Sequence, residues 1–404
     1  LQPVGCGFDN DCIPAPNWNQ VPPVQGLAMW NGELYACGEF QMANDQVLNF
    51  VARFDGTTWQ PLAGGMDGPV RSVRAYPDGL YAAGWYTYAD TVLANGLARW
   101  DGTRWHRVFD LPDITPLQGT NAINDMAIYE GTVYIGGQFR GEGDLQCLAK
   151  YDGTAWVPVG QGLRGTYASV LRMEVYDSLL YIAGAFADEG PYGHPLNPAS
   201  GVVAWNGEDW VPLGTGTDGS SIPWVIDMAW KNDTLYVCGD FDRIGDVPSG
   251  RLGYWDGHRW CSLLPADPPW YVSGGTLALA FYNDTLHMGG YFTLIGTDTV
   301  NRVAQWIGGD HVEACGLPVT VEEPGAREPL RFRPYPVPTI GPLFVEPMPS
   351  PGSSGVVFDQ QGRAVLELPA VHHTIDVSAL AAGAYVLRLR TASGSVTPLR
   401  FLKQ

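Results

Sequence analysis

Apolar and polar positions alternate along this chain in short runs, a period of two that predicts β-strands, and the runs repeat. A segment of the form Leu-Tyr-x-x-Gly-x-Phe, or a close variant, starts at Leu34-Tyr35, Leu80-Tyr81, Val133-Tyr134, Leu180-Tyr181, Leu235-Tyr236 and Leu286-His287. The starts lie 46, 53, 47, 55 and 51 residues apart, the range in which one repeat is a propeller blade or a solenoid unit. Each segment has a partner of the form aromatic-Asp-Gly-x-x-Trp. These run Phe54-Asp55-Gly56 to Trp59, Trp100-Asp101-Gly102 to Trp105, Tyr151-Asp152-Gly153 to Trp156, Trp205-Asn206-Gly207 to Trp210 and Trp255-Asp256-Gly257 to Trp260. The sixth copy, Trp306-Ile307-Gly308, lacks the last Trp.

Four strands per copy follow from this pattern. The first ends in a turn such as Trp30-Asn31-Gly32 or Tyr282-Asn283-Asp284, where Asn, Asp and Gly tolerate the positive φ of a tight hairpin. The second is the Leu-Tyr strand, followed by a variable loop. The third runs into the Asp-Gly turn, and the fourth carries the Trp. Pro61, Pro158 and Pro212 sit inside fourth strands, and a proline cannot donate to a ladder, so these strands belong at an edge. Six four-stranded units predict an all-β chain whose residues 1–316 form a six-bladed β-propeller. An open solenoid, or a ring of five or seven, is the alternative. Asn17-Trp18-Asn19-Gln20-Val21 reads as a spare rim strand that closes the ring beside the sixth copy. Cys315 bonded to Cys6 or Cys12 would staple that seam, and a local Cys6–Cys12 clasp is the other arrangement open to these residues.

Counting back seven from each apolar-Tyr pair gives Leu27, Val73, Met126, Met173, Met228 and Leu279, apolar in every copy and expected between blades. The alternate face is mostly tiny, with Gly26, Ala28, Ala127, Ala229, Ala278 and Ala280. Charges break this in the middle copies: Asp125, Arg172 and Asp227 at one level, Arg74 and Glu174 one step along. Arg172 could bridge its acidic neighbours as a structural pair. Alternatively, these five residues line a channel mouth that grips a sugar, a cation or a peptide terminus. Glu174 with Asp227 or Asp125 would be the pair for acid–base work on a glycosidic bond.

Composition narrows the function classes. Among 404 residues, 42 acidic against 23 basic give a net charge of -19, so the basic footprint of a nucleic-acid binder is missing. No apolar run is long enough for a transmembrane helix. The chain opens at Leu1-Gln2-Pro3 and reads as a mature or trimmed form. Seven cysteines form no zinc-type cluster, and Cys37 and Cys238 read as small buried residues at one repeat position. Asp240, Asp242 and Asp246 could wrap a structural Ca2+, but solvated loop acids are the simpler reading, and no cofactor or metal is expected. The Asp-Gly-x-x-Trp turns share features with sialidase Asp boxes but lack the Ser-x-Asp-x-Gly spacing. No nucleophile or phosphate-binding motif appears, so no catalytic residue is assigned.

Gly38-Glu39-Phe40 with Ala52-Arg53-Phe54-Asp55-Gly56, and Gly290-Tyr291-Phe292 with Val303-Ala304-Gln305-Trp306, resemble bacterial surface propellers of the Gly-x-Phe…Ala-x-Trp-Asp-Gly type over residues 24–315. After Cys315 the texture changes to a Pro- and Glu-rich linker, 317–332. Residues 333–404 then abandon the Trp repeat for short alternating strands, predicting a small Ig-like β-sandwich. Gly362-Arg363, Asp376 with Leu380, Gly383 with Tyr385, and Lys403 come in the order found in C-terminal sorting domains of type IX secretion cargo in Gram-negative bacteria, which this tail resembles. The resemblance implies passage through the type IX machinery, secretion or attachment to the outer face of the outer membrane, and scission in the linker before about Phe332. Combined with the propeller, this gives a binding or adhesion module for a glycan or protein. The alternative is a carbohydrate-active hydrolase or lyase on the same scaffold. Trp85, Tyr86, Tyr88, Trp270 and Tyr271 are loop aromatics able to stack on a ligand or to pack.

Overall fold

The structure is a computed structural model. It describes residues 24–43, 46–108, 115–116, 122–141, 145–165, 167–188, 194, 197–218, 223–264, 275–295, 298–300, 302–306, 314–316, 333–335, 342–346, 352–359, 363–371, 374–390 and 396–403. These residues are all-β, with no helix among them. Two compact units divide at Thr320 and Val321.

In the first unit, six inner strands, Val24–Trp30, Val70–Tyr76, Ala122–Tyr129, Ser169–Tyr176, Trp224–Lys231 and Thr276–Tyr282, each pair antiparallel with the Leu-Tyr strand that follows. The third strand pairs on the far side of the Leu-Tyr strand. In five repeats a short fourth strand, Trp59–Pro61, Trp105–Arg107, Trp156–Pro158, Trp210–Pro212 or Trp260–Ser262, follows it. Pro61, Pro158 and Pro212 thus lie on outer strands, where the missing N–H costs no ladder bond. The variable loop is a small hairpin in four repeats, for example Tyr88–Ala89 with Val92–Leu93. Among the described residues one strand pairing, Ala185 with Trp224, links the sheets of the fourth and fifth repeats.

The turns behave as their residues dictate. Asn31, Asn232 and Asn283 have φ of 51°, 48° and 45°, left-handed values that match the twist of the flanking strands. In the Asp-Gly turns one side-chain oxygen accepts two backbone N–H groups: Asp55 from Thr57 and Thr58, Asp101 from Thr103 and Arg104, Asp152 from Thr154 and Ala155, Asp256 from His258 and Arg259. Asn206 does the same for Glu208 and Asp209, so the carboxylate charge is dispensable and the oxygen is not. The turn delivers the rim Trp to the preceding repeat, where Trp105 Nε1 donates to Leu62 O at 3.0 Å and Trp260 Nε1 to Leu213 O at 2.6 Å.

Consecutive repeats share apolar cores, first with second through to fifth with sixth. Val73, Met126, Met173, Met228 and Leu279 are buried in them, as their spacing predicts. Leu27 departs from the pattern: it is 61% exposed, beside Met29 at 60%, and Tyr282 of the sixth repeat is 69% exposed. Among the described residues no core joins the sixth repeat to the first, and Leu27 belongs to none of the shared cores.

The expected Cys315 pairing is corrected. Cys315 bonds to Cys261, and the strand Ala314–Cys315 pairs with the outer strand of the fifth repeat. Chain leaving the sixth repeat therefore returns to the fifth, and register, not proximity to the N-terminus, selects the partner. Cys6, Cys12 and the Asn17–Val21 segment lie outside the described residues. Cys37, Cys147 and Cys238 are buried and free.

In the second unit, Arg333–Tyr335, Pro342–Glu346 and Thr374–Asp376 form one sheet; Ala364–Leu368, Ser354–Phe358, Gly383–Arg390 and Val396–Lys403 form another. Leu343, Val345 and Ile375 from the first meet Val357, Leu387 and Phe401 from the second in one core. Arg363 N and Nε both donate to Asp359, closing a turn, and Ser378 N caps Asp376 at 2.9 Å. Leu380 packs on the core, Tyr385 stacks on Phe401, and Lys403 is buried at the end of the last strand. Gly362 lies outside the described residues, and Gly383 opens its strand.

Candidate functional site

Every inner strand carries a register shift at one place, ending at Gly26, Ser72, Asp125, Arg172, Asp227 or Ala278. A bulge disturbs the ladder and re-aims the side chain there. The charged level seen in the sequence is this bulge position, so Asp125, Arg172 and Asp227 sit where backbone N–H groups need acceptors.

Asp125 is fully buried and fully used. It accepts from Ser72 Oγ at 2.6 Å, Arg74 Nε at 3.0 Å, Arg74 Nη2, its neighbour Met126 N at 2.9 Å and Met173 N of the next repeat at 2.9 Å. Burial would push this carboxyl up, but the Arg74 guanidinium and these hydrogen bonds hold it below its ordinary value. Burial likewise opposes charge on Arg74, yet Asp125 and then Glu174 keep the guanidinium above its ordinary range. Arg74 Nη2 also donates to Met173 O at 2.9 Å, so this side chain spans three repeats.

Asp227 accepts Arg172 Nε at 3.2 Å and Leu279 N of the sixth repeat at 2.8 Å. Its carboxyl is nonetheless raised, because burial outweighs the Arg172 charge and the amide bonds. Arg172 Nη2 reaches Gln25 O of the first repeat at 3.3 Å. The bridge anticipated at Arg172 is therefore one-sided: it bonds Asp227, while Arg74, from the level below, takes Asp125.

Glu174 is the exception. Among the described residues its carboxylate has one ion-pair partner, Arg74 Nη1 at 3.9 Å, and its side chain is 31% exposed. Burial, with Asp227 and Asp125 adding like charge against Arg74, pushes it up to about 7. It borders a cavity of about 510 Å³ lined by inner-strand residues of five repeats, among them Leu27, Ala28, Arg74, Tyr76, Ala127, Val175, Tyr176 and Trp230. Tyr176 and Trp230 stack face to face at 3.9 Å, and Tyr176 OH is anchored on Asp233 at 2.6 Å. The predicted residues thus divide, with Asp125, Asp227, Arg172 and most of Arg74 turned to each other and Glu174 turned to open space. Sequence reasoning missed Ser72, the two backbone amides and the aromatic pair. Ser72 stands at the same counted position as Asp125, which is the signal that could have found it.

Elsewhere, two of the loop aromatics pack. Trp85 lies under Arg71 at 3.8 Å and donates to Asn124, and Tyr86 is buried with its hydroxyl on Ala82 O. Tyr88 is exposed, while Trp270 and Tyr271 lie outside the described residues. Asp240 is paired with Arg251 at 3.0 Å.

No family model matches this chain, and no curated protein matches it. Solved structures similar to it include PorZ, a bacterial surface component of the type-IX secretion system of Porphyromonas gingivalis, at 13% identity and a TM-score of 0.41. The match covers 94% of this chain and 59% of that one, so this chain spans less than two thirds of PorZ. An extracellular domain assigned to the B. thetaiotaomicron hybrid two component system BT3049 is 11% identical with a TM-score of 0.35, over 93% of this chain and 51% of that domain. At these values neither likeness carries a function over to this chain.

Proposed function

We propose that this chain is an exported or surface-attached binding module, a six-bladed β-propeller followed by a type IX sorting domain, with its ligand site at the inner-strand cavity. Six antiparallel units that share the order of their first three strands, the first five each packed on the next, support the propeller. So does the reach of Arg172 back to Gln25 of the first repeat. In this reading the Asn17–Val21 segment supplies the sixth copy's rim strand and closes the ring. Sorting rests on the motif order of the tail, with the type IX machinery as its partner and the outer face of the outer membrane, or the medium, as its destination.

The observation favouring binding over hydrolysis is that two of the three central carboxylates are spent as acceptors, leaving Glu174 alone over the cavity. The common mechanisms of glycoside hydrolysis use a second free carboxyl. The hydrolase reading retains one point, since a carboxyl near 7 suits a general acid.

Glycan and peptide arrays probed with the full chain test this. Binding without turnover, lost in Ala28→Phe, which fills the cavity, is the expected result. Oligosaccharide cleavage abolished by Glu174→Gln with the fold intact would put a hydrolase in its place. For the route, deleting residues 333–404 in a host with type IX secretion is expected to strand the chain inside the outer membrane, and unchanged export refutes it.

A further inference from the structure

Charge bookkeeping at the centre of the first unit does not close. Arg74 and Arg172 supply two positive charges, against Asp125, Asp227 and Glu174. Asp125 holds Arg74 through two guanidinium nitrogens and Asp227 holds Arg172, so neither arginine has a full charge left for Glu174. What remains is one ionisable carboxylate at the side of a roomy cavity.

Apart from Arg74, whose guanidinium is turned to Asp125, the rest of the wall is apolar or aromatic. Leu27 and Val175, 61% and 42% exposed, line the cavity beside Glu174, with Ile128 and Trp230. Such a lining excludes a calcium-type site, which wants six to eight oxygens around the ion. It suits a cation on a hydrocarbon stem, whose methylenes cover the apolar wall while its head meets the carboxylate and an aromatic ring. The chain's net charge of -19 draws cations toward any such opening.

Resting on the binding-site reading above, we infer that this cavity takes an alkylammonium group, with Glu174 as its counter-ion and Leu27, Val175 and Trp230 around its stem. A lysine side chain on a partner polypeptide and a free diamine both present this chemistry.

The full chain is titrated calorimetrically at low salt with the acetylated, amidated tripeptide Gly-Lys-Gly, its Gly-norleucine-Gly isostere, putrescine and methyl glucoside. The lysine peptide or putrescine is expected to bind at least tenfold more tightly than the norleucine peptide, the tighter of the two identifying the source. Glu174→Gln, with an unchanged melting profile, is expected to lose that margin. Lowering the pH from 8 to 6 is expected to weaken ammonium binding about tenfold, because the carboxylate takes up a proton while the amine stays charged. The charged and titratable groups around Glu174 are Arg74, Arg172, Asp125, Asp227, Tyr76 and Tyr176, and Asp227, whose carboxyl burial also raises, adds to the same trend.

Equal affinity for lysine and norleucine peptides, or full affinity in Glu174→Gln, overturns the ammonium assignment. If neither amine binds but an array glycan does, and Ala28→Phe abolishes it, the assignment falls while the binding site stands. If nothing that binds is sensitive to Ala28→Phe, both fall.

Discussion

The carboxylate of Asp227 accepts the backbone N–H of Leu279 at 2.8 Å, tying the fifth repeat to the sixth. Asp125 makes the same link from the third repeat to Met173 of the fourth, at 2.9 Å. Both acids stand at the bulge of an inner strand, and both accept the amide of the residue just past the bulge position in the next strand. Their first role is therefore to hold the repeats together.

Removing Asp125 strands a buried guanidinium and two amides at once. Asp125→Ala is expected to cost about 3–5 kcal/mol in urea unfolding. Adding Arg74→Met to it should recover part of that loss, since the second change removes the orphaned charge. Additive losses in the double variant would show that the two side chains do not act as a pair.

Glu174 makes stability fall with rising pH. In the unfolded chain its carboxyl titrates near 4.5 and in the fold near 7. Between those values the folded form keeps a proton that the unfolded form has released, so stability declines as pH rises through this window and stays lower above it. Glu174→Gln is thus expected to stabilise the chain at pH 8 by about 1–2 kcal/mol, allowing for screening at a partly exposed group, and to change little at pH 4. Chemical unfolding at the two pH values checks the sign.

The Asp-Gly turns separate oxygen from charge. Asp152→Asn should leave the melting temperature nearly unchanged, because Asn206 already makes the same two bonds in the fourth repeat. Asp152→Ala should lower it. Gly153 has a φ of +104° and open space where a methyl group would stand. Its change to Ala should therefore cost about 1–2 kcal/mol through backbone conformation alone.

The buried thiols should be silent. Burial pushes Cys37 and Cys147 up to about 12, and Cys238 well above its ordinary value. Iodoacetamide labelling read by peptide mapping is expected to leave all three unmodified in the native chain and to modify them after unfolding. The Cys261–Cys315 bond should persist in non-reducing maps, and its removal as a double Ser variant should cost about 2–4 kcal/mol.

Much of the scaffold was legible because it is written in local chemistry. The Leu-Tyr strands, the Asp-Gly turns and the proline-bearing edges depend on residues a few positions apart. Counting back from the Leu-Tyr pairs also located Asp125, Arg172 and Asp227 at one level. Which arginine would take which acid was not legible, because Arg74 reaches Asp125 from the level below and that depends on how the bulges re-aim side chains. The solitary position of Glu174 follows from those pairings and was hidden with them. Cys315 had several partners by sequence, and the register of the last strand against Trp260–Ser262 selects Cys261. Leu27 matched the apolar pattern yet is exposed, since spacing assigns a residue to a face and does not supply the core that covers it.

The carboxylate-to-amide links run one way, acceptor in an earlier copy and backbone donor in the next, while the guanidinium donors Arg74 and Arg172 sit in the copy before their acid. Near-identical sentences in the primary structure are therefore not interchangeable parts. Transposing the third and fourth copies would set Arg172 against arginine and leave Met173 facing no acceptor, so recombination among these copies is restrained by polarity even where their words agree.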